Sequence, residues 1–128
     1  PLYSSAASDV YKRQAQPGLS FPPDLLRRIT ATPAGSLKLL SVSGDSMSPT
    51  LEDGDLVMVD TGRRMPSPPG IFILDDGVGL VAKRVDAIPN TSPPRLRLSS
   101  DNPAYSNYQR LIDEVHVVGR VVWFARNI

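Results

Sequence analysis

The chain has 128 residues, with 14 lysines and arginines against 13 acidic residues, one histidine and no cysteine. This length fits one domain with a single modest core and excludes a large two-domain enzyme. The near-zero net charge excludes the strongly positive field of non-specific nucleic-acid binders, and the lack of cysteine excludes disulfides, a thiol nucleophile and a cysteine-ligated zinc site. No apolar run approaches the ~18–20 residues of a membrane-spanning helix.

The first 14 residues differ in character from the rest of the chain. Their end, "DVYKRQ" at residues 9–14, resembles the translated end of a transposase adapter used in sequencing libraries. We therefore interpret residues 1–14 as an adapter-derived or disordered leader and leave them out of the fold prediction. Residues 15–36 are interpreted as a linker with a short helix, and residues 37–128 as the domain proper.

A short helix is predicted over residues 21–30, "FPPDLLRRIT". Pro23 suits a first-turn position, Asp24 favours the positive end of the helix dipole, and the apolar residues that follow form a stripe. The segment "TPAGS" then ends the helix.

From Leu37 onward the hydrophobic period changes to two, which predicts β-strands. We expect strands over residues 37–44 and 55–61, a hairpin around Asp76-Gly77, a short strand in "RLRLSS", and a last strand over residues 113–126 with a bulge at Gly119. Proline-rich loops separate these strands. The predicted fold is mainly antiparallel β with one short N-terminal helix.

The candidate nucleophile is Ser46, which lies in "VSGDSMSPTL" where a predicted strand ends. A serine hydroxyl is a weak nucleophile unless a neighbouring base takes its proton. The single histidine, His116, is interpreted as a residue on a strand face, and one histidine argues against a metal site. Lys83, in the apolar "GLVAKRV", becomes a base if burial keeps it neutral. A Ser46–Lys83 pair and a solvated lysine are both compatible with these residues.

Two neighbours of Ser46 favour a functional turn. Gly44 adopts backbone conformations closed to other residues, so the chain can turn sharply there, and Met47 can anchor the turn in the core. Backbone N–H groups near Ser46 would then be available to an oxyanion. The alternative is a plain β-turn held by a methionine. The segment "SDNPAY", residues 100–105, is interpreted as a turn in preference to a substrate groove.

Several ordered motifs together resemble a known family. They are "VSGDSMSPTLEDGDLVMVD", "GLVAKRV", "LRLSSDNPAYSNY" and "VVGRVVWFAR", and the resemblance runs from about Leu37 to Arg126. They are similar to the C-terminal domain of LexA and phage-type repressors, the self-cleaving serine–lysine peptidases. This resemblance implies a strongly bent, mostly antiparallel β fold, a homodimer, and no cofactor. It also implies that Ser46 is the nucleophile and Lys83 its general base.

The resemblance further implies a role in transcriptional regulation. In such repressors an N-terminal helix-turn-helix domain binds operator DNA, and a RecA–single-stranded-DNA filament stimulates self-cleavage in the SOS response. Cleavage separates dimerisation from DNA binding and so removes the gain from engaging two half-sites together. We expect a cytoplasmic protein that binds DNA only through an upstream domain. Ala34-Gly35 has the residue types of a cleavage site, but it lies close before Ser46 and is interpreted as a turn.

Three alternatives stay open at this point. One is a non-catalytic dimerisation module of a repressor, in which the dyad is present but unused. Another is a UmuD-like polymerase accessory protein, which carries a short N-terminal arm in place of a DNA-binding domain. The third is type I signal peptidase, which shares the serine–lysine chemistry and the Met-x-Pro-Thr-Leu sequence. That enzyme needs a membrane anchor and usually has Ser-Gly-Ser-Met, whereas this chain has Gly-Asp-Ser-Met.

Overall fold

The computed structural model describes residues 20–128, and this part of the chain contains one α-helix and one seven-stranded sheet. Every pair of neighbouring strands in the sheet is antiparallel. The mainly β fold with a short N-terminal helix is therefore confirmed. The elements are α1 (Pro23–Ile29), β1 (Leu37–Ser41), β2 (Leu56–Asp60), β3 (Gly70–Asp75), β4 (Leu80–Ile88), β5 (Arg95–Ser99), β6 (Tyr108–Leu111) and β7 (His116–Ala125), with 3-10 turns at Ala34–Ser36 and Ile112–Glu114.

The strand order is β1-β2-β7-β3-β4-β5-β6, so the last strand of the chain lies in the middle of the sheet. Neighbouring strands lie about 4.8 Å apart, and a flat sheet would therefore separate β1 from β5 by about 24 Å. The segment that follows β1 nevertheless hydrogen-bonds to the segment that follows β5, through Asn102 and Ser46. The sheet is therefore strongly curved, and this curvature brings the two predicted catalytic residues to the same region.

The two faces of the sheet carry separate apolar clusters, because side chains alternate along each strand. Phe72 and Ile73 are neighbours on β3 but belong to different clusters, and so do Val81 and Ala82 on β4. One cluster contains Leu40, Val42, Met47, Leu51, Val57, Val59, Ile73 and Ala82, and the other contains Phe72, Leu74, Val81, Val85, Leu96 and Leu98. By the same alternation Lys83 lies on the face of Val81 and Val85.

The segment before β1 is attached to the sheet by polar contacts as well as by an aromatic one. The buried carboxylate of Asp60 accepts hydrogen bonds from the hydroxyls of Thr30 at 2.6 Å and Thr32 at 2.8 Å. The ring of Phe21 packs edge-on against Trp123, with 5.2 Å between centroids. Helix α1 itself buries no residue fully, so these contacts hold it in place. The predicted leader, residues 1–14, lies outside the described residues.

The bulge predicted at Gly119 lies one residue earlier. Ile73 pairs with Gly119 and Leu74 pairs with Val117, which leaves Val118 as the extra residue. Glycine at position 119 has a different cause, since a Cβ atom there would lie 2.4 Å from the carbonyl oxygen of Asp60. The close approach of β2 to β7 therefore requires a residue without a side chain.

Candidate active site

Ser46 lies in the segment that connects β1 to β2, and its side chain is buried, with 2 % of the residue exposed. Gly44 has φ +91°, in the region that favours glycine, and its N–H donates to the Asp53 carboxylate at 2.7 Å. Met47 is buried in the cluster of Leu40 and Val57, so it anchors the turn as the sequence indicates. The turn therefore presents Ser46 from a fixed backbone.

The backbone around Ser46 leaves hydrogen-bond donors unused. Ser48 donates to the carbonyl of Asp45 and Leu51 donates to that of Met47. Within residues 20–128, by contrast, the N–H groups of Ser46 and Met47 donate to no acceptor. A buried N–H without a partner is rare because losing its hydrogen bond to water is unfavourable. These two donors are therefore suited to an oxygen supplied by a substrate.

Lys83 lies on β4 in apolar surroundings, with 9 % of the residue exposed. On its face of the sheet are Val81 and Val85, and Phe72 is its partner across the strand pair. The Lys83 Nζ atom lies 5.7 Å from the centre of the Tyr108 ring. Burial lowers the pKa of Lys83 from its ordinary value, and the negative charge of Asp76 opposes this to a smaller extent. The neutral amine, which is the form that acts as a base, is therefore more accessible here than for a lysine in water.

The hydrogen-bond partner of Lys83 is a serine outside the Ser46 turn. Lys83 Nζ donates to Ser100 Oγ at 2.8 Å. Within residues 20–128 there is no hydrogen bond between Lys83 Nζ and Ser46 Oγ. Arg84 pairs with Ser99, so the next position of the antiparallel ladder sets Ser100 opposite Lys83. Register decides this contact, and no motif in the sequence indicates it.

The segment of residues 100–107, here called the 100–107 loop, joins both candidate residues. Its Asn102 N–H donates to the carbonyl of Ser46 at 3.1 Å, and the Asn102 side chain donates to the carbonyl of Asp45 at 3.0 Å. The Tyr105 hydroxyl donates to the Asp45 carboxylate at 2.6 Å. The sequence prediction of a turn here fits the bends of this segment, but it omits the contacts with Ser46.

Asp101 fixes the same loop from two sides. Its carboxylate accepts two hydrogen bonds from Arg84, at 2.8 and 2.7 Å, and one from the Thr50 hydroxyl at 2.5 Å. The hydrogen bond from Arg84, followed by that from Thr50, lowers the pKa of Asp101 against the opposing effect of burial. The carboxylate therefore joins β4, the 100–107 loop and the Ser46 turn into one unit.

The other end of the Ser46 turn is held by the C-terminal residues. The Arg126 guanidinium donates to both oxygens of Asp55, at 2.8 and 2.7 Å. This bidentate hydrogen bonding lowers the pKa of the buried Asp55 carboxyl, and burial works in the opposite direction. Asp55 also accepts the backbone N–H of Glu52 at 2.8 Å. The turn is thus clamped at both its Asp45 and its Asp55 ends.

Two other sequence candidates lie away from this region. His116 is exposed on β7, opposite Asp75. Ala34-Gly35 lies in the 3-10 turn before β1, whereas Ser46 follows the other end of that strand. Five residues at about 3.3 Å each separate the two ends by about 16 Å. No group of three or more histidine or acidic side chains in the described part could hold a metal ion.

Comparison with known proteins identifies the family of the chain. Residues 3–122 match the family described as Peptidase S24-like. The chain belongs to this family. It is 30 % identical to Repressor protein CI of Enterobacteria phage phi80 over 108 residues, which is 84 % of this chain and 44 % of that protein. It is also 30 % identical to the 26 kDa repressor protein of Escherichia phage HK022 over 93 residues, 70 % of this chain and 38 % of that protein.

The resemblance to LexA and phage-type repressors is thereby confirmed at the level of the family. The chain spans less than half the length of the curated relatives it matches. In residues 20–128 no helix has the length and apolar character needed to cross a membrane.

Proposed function

We propose that this S24-like chain is the peptidase and dimerisation part of a phage-type repressor, and that it cleaves its own polypeptide with a Ser46–Lys83 dyad. The observation that carries the proposal is the burial of Lys83 beside Val81, Val85 and Phe72 in a family whose name denotes a peptidase. A lysine with a purely structural role has no need of such surroundings, because its amine is more stable in water.

The dyad would act in two stages. Neutral Lys83 takes the proton of the Ser46 hydroxyl as Oγ attacks the carbonyl carbon of the scissile bond. The resulting oxyanion accepts hydrogen bonds from the N–H groups of Ser46 and Met47. The Lys83 ammonium then gives its proton to the leaving amine, and water hydrolyses the acyl-serine with Lys83 again as the base. Catalytic hydrogen bonds often form only when substrate is bound, so their absence in the free chain is compatible with this role.

Relief of repression would follow from the loss of a dimer. The two matched relatives are named as repressors, and we propose that this chain likewise forms a homodimer, joined to DNA through an upstream helix-turn-helix domain in the cytoplasm. A RecA–single-stranded-DNA filament is the proposed stimulus. Sedimentation equilibrium of the 128-residue chain measures the dimer directly, and a monomer at every concentration would contradict this part of the proposal.

The test is intact mass spectrometry over time on the full-length protein that contains this chain. We expect the wild type to yield two fragments at alkaline pH without a filament, because neutral lysine becomes more abundant as pH rises. Ser46→Ala and Lys83→Ala should lower the rate by more than about a thousandfold. Ser48→Ala and Lys38→Ala are matched controls and should leave it unchanged.

The fragment masses locate the scissile bond. A wild type that stays intact at alkaline pH and with an activated filament would refute self-cleavage. The non-catalytic dimerisation module would then be the better interpretation, and a UmuD-like protein would be recognised by its short upstream arm.

A further inference from the structure

Ser100 and Lys83 form a buried pair that the sequence motifs do not include. Lys83 Nζ donates to Ser100 Oγ at 2.8 Å, and Ser100 is 8 % exposed. Phe72, Lys83 and Ser100 lie side by side across the sheet. Phe72 on β3 is opposite Lys83 on β4, and Ser100 follows β5 at the position opposite Lys83. Within residues 20–128 the Lys83 amine donates to no acceptor other than Ser100 Oγ.

We propose that Ser100 is a positioning residue, whose hydroxyl oxygen holds one N–H of the Lys83 amine and so directs the amine lone pair toward Ser46. This inference rests on the proposed function. A neutral lysine amine has two N–H bonds and one lone pair, and only the lone pair can accept the Ser46 proton. Without a fixed acceptor the amine rotates freely about its last carbon–nitrogen bond, and the lone pair faces Ser46 only part of the time.

Proton transfer leaves the Ser100 contact in place. When the Ser46 proton moves to Lys83 Nζ, the amine becomes an ammonium with three N–H bonds, and one of them still donates to Ser100 Oγ. The ammonium then releases one proton to the leaving amine. Ser100 neither gains nor loses a proton, so its role is to orient Lys83 and to stabilise its charged form.

The 100–107 loop gives Ser100 a fixed position relative to Ser46. Asn102, two residues farther along the chain, donates its backbone N–H to the Ser46 carbonyl at 3.1 Å. Asp101, between them, is bound to Arg84 and Thr50. Residues 100–102 therefore fix the position of the Ser100 hydroxyl relative to the Ser46 backbone, and a displacement of one would displace the other.

Two measurements on Ser100→Ala, Ser100→Thr and Ser99→Ala test this inference. The first is the pH dependence of self-cleavage in the full-length protein. The second is an NMR titration of the lysine Cε signals in the 128-residue chain, which has only Lys12, Lys38 and Lys83. The Lys83 signal is assigned by its loss in Lys83→Met. Ser99 is the matched control because it is the adjacent serine and faces the opposite side of the sheet.

For Ser100→Ala we expect the plateau rate to fall by at least about tenfold, the lower end of what one hydrogen bond to a charged group contributes. Its Lys83 titration and its rate profile should both move to lower pH, because the ammonium loses an acceptor. Ser100→Thr keeps the hydroxyl and should restore both, and Ser99→Ala should match the wild type. A merely structural role would lower the rate without moving either midpoint.

An unchanged Lys83 titration in Ser100→Ala overturns the inference, whether or not the protein cleaves itself. An uncut wild type refutes the proposed function, and a shifted titration would then still establish that Ser100 holds the amine. The titration therefore tests the role of Ser100, and the cleavage assay tests the proposed function, independently of each other.

Discussion

The side chain of Lys83 lies where burial disfavours a positive charge. In the unfolded chain the same amine is hydrated and titrates near its ordinary pKa of 10.5, whereas burial lowers the pKa in the folded state. Between these two pKa values the unfolded state binds more protons than the folded state. The folding free energy therefore becomes more favourable as pH rises through this window.

We expect the unfolding free energy of the wild type to increase relative to that of Lys83→Met as pH rises. Below the folded-state pKa the ammonium destabilises the wild type in full, and as pH approaches 10.5 this effect disappears. Methionine does not titrate, and its flexible side chain fills the apolar site. Urea unfolding of both proteins between about pH 7 and pH 9.5 measures the difference.

The tyrosines are the control for this comparison. Burial raises the pKa of Tyr108, and the hydrogen bond to Asp45 raises that of Tyr105, so both stay protonated in the folded state over this range. Their contributions are shared by the two proteins and cancel in the difference. Parallel stability curves for wild type and Lys83→Met would show that Lys83 is not desolvated.

Some of the candidate site residues are predictable from the sequence, and Ser100 is not. Ser46 and Lys83 could be selected because each stands in a local pattern, a Gly-x-Ser-Met turn and an apolar strand. Ser100 could not, because its contact depends on the register between β4 and β5, and side-chain alternation does not determine register. The site residues that depend on pairing thus emerge only from the folded sheet.

At the level of elements, β7 is the strand on which the sheet depends most. It pairs with β2 on one side and β3 on the other; its ladder with β3 is irregular next to Gly119, and its ladder with β2 is irregular at Val122. The carbonyl of Asp60 lies so close to Gly119 that no Cβ atom fits. Since Asp60 also accepts the hydroxyls of Thr30 and Thr32, a displacement here would disturb the attachment of α1 as well.

Gly119→Ala should therefore destabilise the chain by at least about 2 kcal/mol, because the methyl group forces β2 and β7 apart. Gly35→Ala is the matched control, since no atom lies within 4 Å of its added Cβ, and it should change stability by less than about 0.5 kcal/mol. Urea denaturation of the three proteins measures both effects. Equal stability of Gly119→Ala and wild type would mean that the contact with Asp60 relaxes without cost.

The elements were predicted from the sequence with uneven success. Helix α1 and strands β1 to β5 and β7 lie where capping and period-two patterns place them, with two differences at their ends. Strand β1 ends three residues earlier than expected, and β7 begins three residues later, because Ile112–Glu114 forms a 3-10 turn. Strand β6, Tyr108–Leu111, was not predicted, because a four-residue edge strand with two exposed polar residues has no distinct pattern. The central place of β7 also could not be read from periodicity, which carries no information on strand order.

At the scale of the whole molecule, the site is assembled by curvature. Ser46 follows the edge strand β1, Lys83 lies on β4, and the contact of Asn102 with Ser46 exists only because the sheet bends. Under the proposed self-cleavage, a substrate segment would reach this region from elsewhere in the polypeptide. The matched repressors are more than twice as long as the part that aligns with this chain, and we propose that a segment joined to this domain supplies the scissile bond.

We expect self-cleavage to occur within one polypeptide. A segment on a short flexible connection has an effective concentration in the millimolar range, so at about 1 μM protein an intermolecular reaction would be about a thousandfold slower. The first-order rate constant of the full-length wild type should therefore stay the same over a hundredfold dilution. Intact mass at fixed alkaline pH measures it.

A mixture with Ser46→Ala distinguishes the route within a dimer from the route within a chain. The variant keeps the scissile bond but lacks the nucleophile, so it can be cut only by a wild-type partner. If each chain cuts itself, the variant stays intact while the wild type disappears, at every ratio and concentration. Cleavage of the variant at a rate independent of dilution would indicate exchange of the substrate segment between dimer partners. A rate proportional to wild-type concentration would instead indicate a peptidase that acts on a separate protein.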